Sequence, residues 1–366
     1  MIDINALLKA MIDKGSSDLH IRCGVVPVMR INGDLYKVGQ VTVTPENMEL
    51  MLRTLMSKPR QYEKFLEDSE LDFAASIQGV GRFRVNAFRQ RGTPSIAIRS
   101  IKYSVPHFTE LGLPAVILDI SMRKRGLILV TGTTGSGKST LLASMIDHIN
   151  MNTAVNIVTI EDPIEFLHKD KRSIVAQREI GTDTPSFTDA LRGSFRQDPD
   201  IILIGEMRDK ETIETAMSAA DTGHLVMSTL HTMNTVETIT RIISFFPPHQ
   251  HDQIRLVLSN VLVAIVSLRL LPRKDGQGRI PAVEILINNA SISEYILDQN
   301  KSHMIATAVK EGYTQYGSQS FDQSLLQLYR DDLITLETAK QSASNPDDFE
   351  LQVKGVSGTS DRGWMV

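Results

Sequence analysis

A glycine-rich segment near the middle of the chain has the residue types and the spacing that hold nucleotide phosphates. The apolar run GLILVTG leads into it, and a run with helical spacing, LLASMIDHIN, follows it. Glycines let such a loop approach closely, so that its backbone N–H groups point at phosphate oxygens, and the positive end of the following helix adds a favourable field. Lys138 would reach the β and γ phosphates, and Ser139 would coordinate Mg²⁺. The predicted nucleotide-binding residues of the loop are Gly132, Thr133, Thr134, Gly135, Ser136, Gly137, Lys138, Ser139 and Thr140.

A glycine-rich turn between a strand and a helix could match this pattern by chance. Here the apolar strand, the loop, the Lys-Ser pair and the helix are all present in the required order. The complete context therefore favours a phosphate site.

Transfer of a phosphoryl group to water also requires carboxylates at the ends of neighbouring strands, to hold metal-bound water and to polarise the attacking water. Glu161, Asp162 and Glu165 follow the apolar run NIVTI, and Glu206 follows the run IILI. Taken singly, acidic residues after strands are commonly helix caps or turn formers. Their position after a predicted phosphate loop favours a catalytic or metal-binding role for both groups.

Two histidines belong to the next apolar run, GHLVMSTLHT. His224 lies near its start and His231 near its end. Lone histidines are usually structural, and a zinc site would need more ligands than this run offers. From the residues alone, a structural role is favoured for both.

The elements around these motifs alternate between strands and helices. Apolar strands separated by helical segments predict a mostly parallel sheet covered on both faces, that is, an α/β domain. Only helices are predicted after about residue 285. Residues 256–271 are apolar but interrupted by polar side chains, and they fall short of the roughly 20 residues that span a bilayer, so we interpret them as a buried helix.

The first hundred residues have a different pattern. Strands are predicted by short alternating runs such as DLHIRC and by paired runs over residues 71–101. Helical spacing at the start and in the middle of this region adds helices, so the pattern indicates a compact α+β unit. Prolines and a glycine in residues 103–114 indicate a linker. We therefore predict an N-terminal domain over residues 1–105, an α/β domain with C-terminal helices over 106–343, and a flexible tail over 344–366, where the chain becomes polar and Gly/Ser-rich.

Composition excludes several classes of protein. The chain has 366 residues and a net charge of -4, and no global basic field favours nucleic acid as a partner. Cys23 is the sole cysteine, which excludes a disulfide framework and a four-cysteine zinc site. The N-terminal run MIDINALLKAMIDKG lacks the continuous apolar core of a signal peptide, so we expect a cytoplasmic protein.

Four ordered motifs resemble the Walker A, Asp box, Walker B and His box of the secretion and pilus ATPases. They are GTTGSGKST, IEDPIEF, the strand ending in Glu206, and GHLVMSTLHT. Within that superfamily the chain resembles the type IV pilus retraction ATPases, the PilT and PilU family, along nearly its whole length. The runs GSSDLHI, GVGRFRVNAF and LRGSFRQDPDIILIGEMRD also carry this resemblance.

This resemblance implies a PAS-like α+β N-terminal domain followed by a RecA-like P-loop ATPase core with C-terminal helices, assembled as a homohexamer. It implies ATP and Mg²⁺ at the site, hydrolysis of ATP to ADP and phosphate, and pilus retraction as the function. The implied partners are an inner-membrane pilus platform protein and a paralogous retraction ATPase, so the protein would be peripheral at the inner membrane.

The resemblance also assigns roles to residues. It makes Glu165 the base that activates water and Glu206 the group that supports Mg²⁺. Charge on the transferring phosphoryl group would be stabilised by Arg84 and Arg99, delivered across an interface. Arg192 and Arg196 are further side chains expected to bind the nucleotide, and His224 and His231 are expected to sense phosphate or to relay a conformational change.

One segment departs from the family pattern. Retraction ATPases commonly carry an AIRNLIRE-like helix where this chain has residues 290–298. Ser293 and Leu297 stand where the motif has arginines, and Asp298 stands where it has glutamate. The departure leaves open an accessory, PilU-like ring ATPase. A pilus extension or type II secretion ATPase is a further alternative, which the short N-terminal region and the missing cysteine cluster disfavour.

Overall fold

The computed structural model describes residues 2–31, 33–56, 58–101 and 105–355. These residues fold as two compact units. The first unit comprises the described residues of Met1–Ser104, together with Asp162–His168 and Glu179–Pro185. The second unit comprises Val105–Glu161, Lys169–Arg178 and the described residues from Ser186 onward.

The first unit contains, within the described residues, a six-stranded sheet with the strand order β3-β2-β1-β6-β5-β4. Every pairing between its neighbours is antiparallel. Its elements are α1 (Ile4–Asp13), β1 (Asp18–Arg22), β2 (Val28–Ile31), β3 (Asp34–Lys37), α2 (Pro45–Leu55), α3 (Pro59–Asp68), β4 (Glu70–Ile77), β5 (Gly81–Gln90) and β6 (Thr93–Ile101). The mixed α+β composition agrees with the sequence pattern, and a PAS-like relationship of this unit stays a prediction.

Alternation along β5 explains how this sheet presents its arginines. Phe83, Val85 and Ala87 are fully buried, because alternate side chains of a strand point to the same face. The intervening Arg84 is exposed and lies directly opposite Arg99 in the β5–β6 pairing. One face of the sheet therefore packs on the helices while the other carries this pair of guanidinium groups.

The second unit contains, in the part of the chain that the structure describes, a seven-stranded sheet with the order β13-β12-β7-β11-β10-β8-β9. Its elements are α4 (Val116–Ser121), β7 (Gly126–Thr131), α5 (Lys138–Asn152), β8 (Asn156–Glu161), β9 (Ile174–Glu179), α6 (Phe187–Ser194), β10 (Ile201–Ile204), α7 (Lys210–Asp221), β11 (Leu225–Leu230), α8 (Thr235–Ser244), α9 (His251–Val261), β12 (Leu262–Pro272), β13 (Arg279–Ile287), α10 (Ala290–Leu297), α11 (Ile305–Glu311), α12 (Tyr313–Tyr316), α13 (Phe321–Arg330), α14 (Leu336–Ser342) and α15 (Pro346–Val353). Short 3-10 helices lie at Phe108–Leu111, Pro248–Gln250 and Gln299–Met304.

The centre of this sheet is parallel, as the sequence predicts. Strands β12, β7, β11, β10 and β8 pair in parallel in that order, and β7, β10 and β11 are buried along their whole lengths. Strands buried on both faces read as continuous apolar runs, which explains the sequence pattern. The carboxyl ends of β7, β11, β10 and β8 consequently meet at one edge of the sheet.

Residues 256–271 do not form the buried helix that the sequence predicts. The helix α9 ends at Val261, and β12 begins at Leu262 and runs to Pro272. β12 then pairs antiparallel with β13, which extends to Ile287. A short apolar run cannot be assigned to helix or strand from periodicity alone, and here the pairing with β7 and β13 decides in favour of a strand.

The C-terminal residues are more ordered than the predicted tail over 344–366. Helix α15 spans Pro346–Val353, with the Asn345 side chain capping its first turn. Phe349 on this helix is 1% exposed and packs in a core with Phe321 and Leu325 of α13. One apolar side chain in this polar segment is therefore enough to hold the helix against the core. Residues 356–366 lie outside the described residues. Among the residues described, no helix combines the length and apolarity needed to cross a membrane.

Candidate nucleotide site

The glycine-rich loop joins the carboxyl end of β7 to the start of α5. Gly132 has φ +138°, and a Cβ there would lie 2.5 Å from the carbonyl oxygen of Leu268 and 2.6 Å from Oγ of Ser136. Gly137 has φ +100° and immediately precedes the first helical residue, Lys138. Only glycine meets both the close approach and the left-handed backbone without strain, which explains the residue types in this loop.

Lys138 places a positive charge inside this loop. Its Nζ donates to the carbonyl oxygens of Gly132, at 2.7 Å, and of Thr133, at 3.1 Å. The residue is 9% exposed. Burial lowers the pKa of the Lys138 ammonium, and the negative charge of Glu206 opposes that shift. A buried cation with mainly neutral partners is a strong point of attraction for phosphate oxygens.

The loop also has an unused donor. Oγ of Ser136 is buried, and among the described residues it has no hydrogen-bond partner. An unpaired buried hydroxyl is costly unless a ligand supplies its partner. Ser136, Lys138 and the α5 N-terminus therefore fit a bound nucleotide phosphate, and Ser139 is exposed in the first turn of that helix.

The neighbouring strand ends bring a carboxylate, a histidine and an arginine together. Glu206 follows β10, and its Oε1 lies 3.3 Å from Nε2 of His231, which directly follows β11. Its Oε2 lies 2.9 Å from a guanidinium nitrogen of Arg208. The parallel register pairs Ile204 with Ser228, so the residues two or three positions beyond must be neighbours. The structure thus confirms that these strand ends converge.

Arg208 is a residue that the sequence analysis did not single out. It lies in the run GEMRD, two positions after Glu206. A single arginine after a strand is usually a solvated side chain, so its type gave little signal. Its contact with Glu206 depends on the conformation of the strand end.

The arrangement fits a magnesium ion that binds largely through the nucleotide. Among the described residues, no group of three or more His, Cys, Asp and Glu side chains could hold a metal. Mg²⁺ usually keeps several waters and is bound by one or two protein oxygens plus substrate phosphates. The Ser139 hydroxyl and the Glu206 carboxylate are the oxygen ligands or water acceptors that this chain would offer.

Glu165 and Glu161 belong to different units although they are neighbours in sequence. Glu161 ends β8 in the second unit, where its Oε1 accepts from Oγ1 of Thr159 at 2.6 Å and from Nε2 of Gln177 at 3.0 Å. Glu165 is exposed on the segment Asp162–His168 of the first unit. The role of Glu165 as the base stays a prediction.

The buried carboxylate of Glu179 explains why the segment Asp162–His168 packs in the first unit. Glu179 is 3% exposed, and its Oε2 accepts from the Ile164 N–H at 3.3 Å and from Arg82 of β5 at 3.0 Å. Its Oε1 accepts from Oγ1 of Thr182 at 3.1 Å. A buried charge needs several donors. Here they come from β5 and from the two segments that the later sequence contributes to the first unit, Asp162–His168 and Glu179–Pro185, which we call the inserted segments. No sequence pattern indicates this pairing, because its partners lie 15 and 97 positions away.

The two arginines favoured by the resemblance lie side by side. Arg84 and Arg99 are direct cross-strand neighbours, and both are exposed. Nε of Arg99 lies 2.8 Å from Oδ1 of Asp18, and Arg84 lines a cleft of about 750 Å³ within the first unit. An exposed ion pair such as Arg99–Asp18 is weak and easily exchanged. Both guanidinium groups are therefore available to a second anion.

His224 lies at the opposite edge of the sheet from the phosphate loop, so it does not contact the nucleotide site of its own chain as direct binding would require, and a conformational-relay role stays a prediction. It precedes Leu225, which pairs with Gly126 at the start of β7, whereas the loop begins after the last residue of that strand. Six strand residues separate the two edges by roughly 20 Å. The His224 Nδ1 instead lies 3.0 Å from the Ala219 carbonyl oxygen, at the end of α7.

Arg196 shares that edge, so it too does not contact the phosphate loop of its own chain. The adjacent Gln197 carbonyl accepts from Nδ2 of Asn156, the first residue of β8, at 2.7 Å. Arg192 forms an exposed ion pair with Glu211, at 2.6 Å. The sequence placed both side chains by motif. Strand direction separates Arg196 from the loop, whereas Arg192 contacts the first turn of α7, which follows the carboxyl end of β10.

Comparison with known proteins finds a secretion-system family model and two pilus ATPases. The family model described as type II/IV secretion system protein matches residues 1–328. The type IV pilus ATPase PilU of Pseudomonas aeruginosa is 41% identical over 353 residues, which cover 96% of this chain and 92% of that protein. The type IV pilus retraction ATPase PilT of the same organism is 41% identical over 348 residues, covering 95% of this chain and all of PilT.

Solved structures agree with the sequence comparison. A crystal structure of the pilus retraction motor PilT with bound ADP has a TM-score of 0.89 and 45% identity, covering 96% of this chain and 99% of that one. The ATPase DotB of Legionella pneumophila has a TM-score of 0.75 and 26% identity, covering 92% of this chain and 94% of that one. The fold and its mixed α/β class are thus shared over nearly the whole chain.

Substitution of Gly132 tests whether the loop geometry is needed for nucleotide binding. Gly132→Ala should weaken ADP affinity at least about tenfold, because the added Cβ displaces either the loop or the Leu268 carbonyl. Gly135→Ala is the matched control, since Gly135 also has a positive φ but has open space around it. Titration with a fluorescent ADP analogue measures both. Equal affinities for Gly132→Ala and the wild type would contradict the assignment.

Proposed function

Since the chain belongs to the type II/IV secretion system protein family, and within it to the type IV pilus retraction ATPases, we propose that it hydrolyses ATP to drive pilus retraction. The observation that carries the proposal is the buried ammonium of Lys138 in a glycine loop. Beside it, Glu206 and His231 pair at the ends of the adjacent strands. The retraction motors PilT and PilU, which the chain matches over nearly its full length, support the motor function.

Within this proposal the residues of the second unit hold the substrate. The loop N–H groups, Ser136 and Lys138 bind the phosphates. Magnesium, when bound with the nucleotide, neutralises charge on the phosphate oxygens. Ser139 and Glu206 would orient that ion or its waters, and His231 and Arg208 fix the Glu206 carboxylate through their contacts with it.

The groups of the first unit are proposed for the chemical step. Glu165 would accept the proton of the attacking water, and Arg84 and Arg99 would stabilise charge on the transferring phosphoryl group. We propose that the two arginines serve the phosphate loop of a neighbouring subunit in a ring of six. Their exposure and their side-by-side position on one sheet face support this role.

We further propose that the ring acts from the cytoplasm on an inner-membrane platform protein of the pilus. ATP hydrolysis would change the arrangement of its units, and that movement would return pilin subunits to the membrane. A paralogous retraction ATPase is a candidate second partner.

An accessory, PilU-like role is the second candidate function, favoured by the departure over residues 290–298. Oγ of Ser293 donates to the Ser259 carbonyl at 3.1 Å, and Leu297 is 44% exposed. A serine bonded within the unit and an apolar side chain cannot replace two arginines in binding an acidic partner. The identities to PilU and to PilT are both 41% and do not separate the roles. ATPase assays of the chain alone and mixed with its paralogue would separate them.

A type II secretion role has less support. The type II secretion system protein E of Xanthomonas campestris is 48% identical, but over 136 residues that cover 37% of this chain and 23% of that protein. The similarity to this relative is therefore confined to a part of the chain.

Removal of the lysine charge tests the proposed function. Lys138→Ala should abolish ATP turnover and pilus retraction in a complemented deletion strain, because the phosphate loop then loses the ammonium that would reach the β and γ phosphates. Turnover by phosphate release and retraction by twitching assays measure the two outcomes. Wild-type activity in a folded, assembled Lys138→Ala protein would rule out this site.

Two carboxylate variants separate the proposed base from the metal-supporting group. Glu165→Gln should bind ATP and retain it uncleaved, since the proton acceptor is lost while the phosphate loop is intact. Glu206→Gln should instead raise the Mg²⁺ concentration needed for turnover. Nucleotide retained after gel filtration, analysed by chromatography, reports trapping. Normal hydrolysis by Glu165→Gln with trapping by Glu206→Gln would reverse the assignments.

Mixed rings test action between subunits. Arg99→Ala should keep its fold and ATP binding but lose most turnover, because charge in the transition state goes unstabilised. Mixing Arg99→Ala with Lys138→Ala should restore part of the activity, since some boundaries then pair an intact arginine with an intact loop. Co-assembled rings that stay inactive would count against action in trans. Full turnover by an Arg84→Ala, Arg99→Ala double variant would remove both residues from the site.

A further inference from the structure

A partly buried carboxylate on β13 bonds to the first residue of a helix at the nucleotide end of the sheet. Oε1 of Glu284 accepts from the Thr235 N–H at 2.7 Å. Thr235 is the first residue of α8 and is 1% exposed. Burial raises the pKa of the Glu284 carboxyl, and the bonds from Thr235 and the charge of Arg269 oppose that shift. The proposed chemistry makes no use of Glu284.

Glu284 lies in the same cross-strand row as the residue that leads into the phosphate loop. It pairs with Ser267 of β12, which in turn pairs with Thr131 of β7. Residues in register on adjacent strands project to the same face of the sheet. The hydroxyl oxygens of Ser267 and Thr131 are 2.7 Å apart, and both residues are fully buried. Glu284 is thus anchored on the sheet at the level of the nucleotide site.

The loop between β11 and α8 is hydrogen-bonded to the first turns of that helix. The Met233 N–H donates to Oε2 of Glu237 at 2.8 Å, and the hydroxyls of Thr232 and Thr238 are 2.7 Å apart. These bonds join the loop to α8. The bond from Thr235 to Glu284 joins the start of α8 to β13, while the rest of the helix packs on β12 and β13 through its apolar face.

The same loop begins with His231, whose Nε2 lies 3.3 Å from Oε1 of Glu206. An imidazole side chain that must contact a carboxylate needs the backbone of its own residue fixed within a fraction of an ångström. Because β11 fixes only one end of the loop, the position of the other end depends on α8.

We propose that Glu284 is a positioning residue for the nucleotide site: its carboxylate fixes the start of α8 on the sheet, and with it the loop that presents His231 to Glu206. The proposal rests on the proposed ATPase function, and it assigns Glu284 no contact with the substrate. Its effect is on the geometry of the His231–Glu206 pair.

Thr235→Pro tests this with little change in volume. Proline is favoured at the first position of a helix and has no N–H, so the variant removes the backbone donor of Thr235 and still allows the helix to begin there. The Phe321 N–H continues to donate to Glu284. The preceding Asn234 is extended, with φ -154° and ψ 173°, as a residue before proline must be. Thr235→Ala is the matched control, because it loses the same side chain but keeps the N–H.

Thr235→Pro should lower kcat about tenfold relative to Thr235→Ala. KM for ATP should change less than about twofold, because phosphate binding does not depend on the loop between β11 and α8. Glu284→Ala should lower kcat at least as much as Thr235→Pro, because it also removes the acceptor for the Phe321 N–H. Glu284→Gln, which keeps an acceptor oxygen, should restore most of the kcat. Combining Thr235→Pro with His231→Ala should lower kcat no further than His231→Ala alone.

Hydrogen exchange separates this proposal from the proposed function. Amides of residues 231–244 should exchange faster in Thr235→Pro than in Thr235→Ala, while those of the first unit stay unchanged. Equal kcat and equal exchange in these two variants would overturn the proposal, and so would full additivity with His231→Ala. A wild-type protein without ATPase activity would overturn the proposed function, whereas the exchange comparison would still decide whether Glu284 fixes the loop.

Discussion

The buried ammonium of Lys138 is the constraint on which the nucleotide end of the second unit depends. A cation that has lost most of its hydration must find oxygen partners, and it finds the carbonyl oxygens of Gly132 and Thr133. The Gly132 carbonyl can turn inward because glycine backbone accepts φ values that other residues avoid. The field of Glu206 adds a longer-range contribution. The loop therefore holds a charge that phosphate can compensate better than the protein does.

Buried parallel strands give this charge its neighbours. Because β7, β11 and β10 are paired in parallel, their carboxyl ends reach the same edge, and each delivers one part of the site. The three strands are buried along their whole lengths, so the ionisable residues that follow β10 and β11 mark that edge. This is the rule by which open α/β sheets place ligands beyond the carboxyl ends of their strands. The Glu284 bond to α8 extends the same organisation to β13.

The first unit holds a second set of groups by a different means. Glu179 is buried with donors from β5 and from both inserted segments, so its charge joins pieces that are far apart in sequence. The segment with Glu165 consequently belongs to the same unit as Arg84 and Arg99. The groups proposed for holding phosphate and those proposed for the chemical step are thus each fixed within their own unit.

The sequence by itself determined the elements whose signal is local. Continuous apolar runs indicated the parallel strands, and the spacing of glycines, Lys138 and Ser139 indicated the phosphate loop, because both follow from backbone geometry over a few residues. It also indicated Glu206, which follows an apolar run, whereas the residues alone favoured a structural role for His231 and only the family resemblance assigned it to the nucleotide. Tertiary structure alone decided the rest. His224 and His231 stand in one motif, yet strand direction puts them at opposite edges of the sheet.

The same limit applies to pairings across the chain. Residues 262–272 form a strand because β7 and β13 flank them. The largely polar residues 346–353 form a helix because Phe349 packs in the core with α13. Glu165 was assigned to the second domain by its position in sequence, but bonds to Glu179 bring its segment into the first unit. Such contacts join residues that are distant along the chain, and neither periodicity nor motif spacing contains that information.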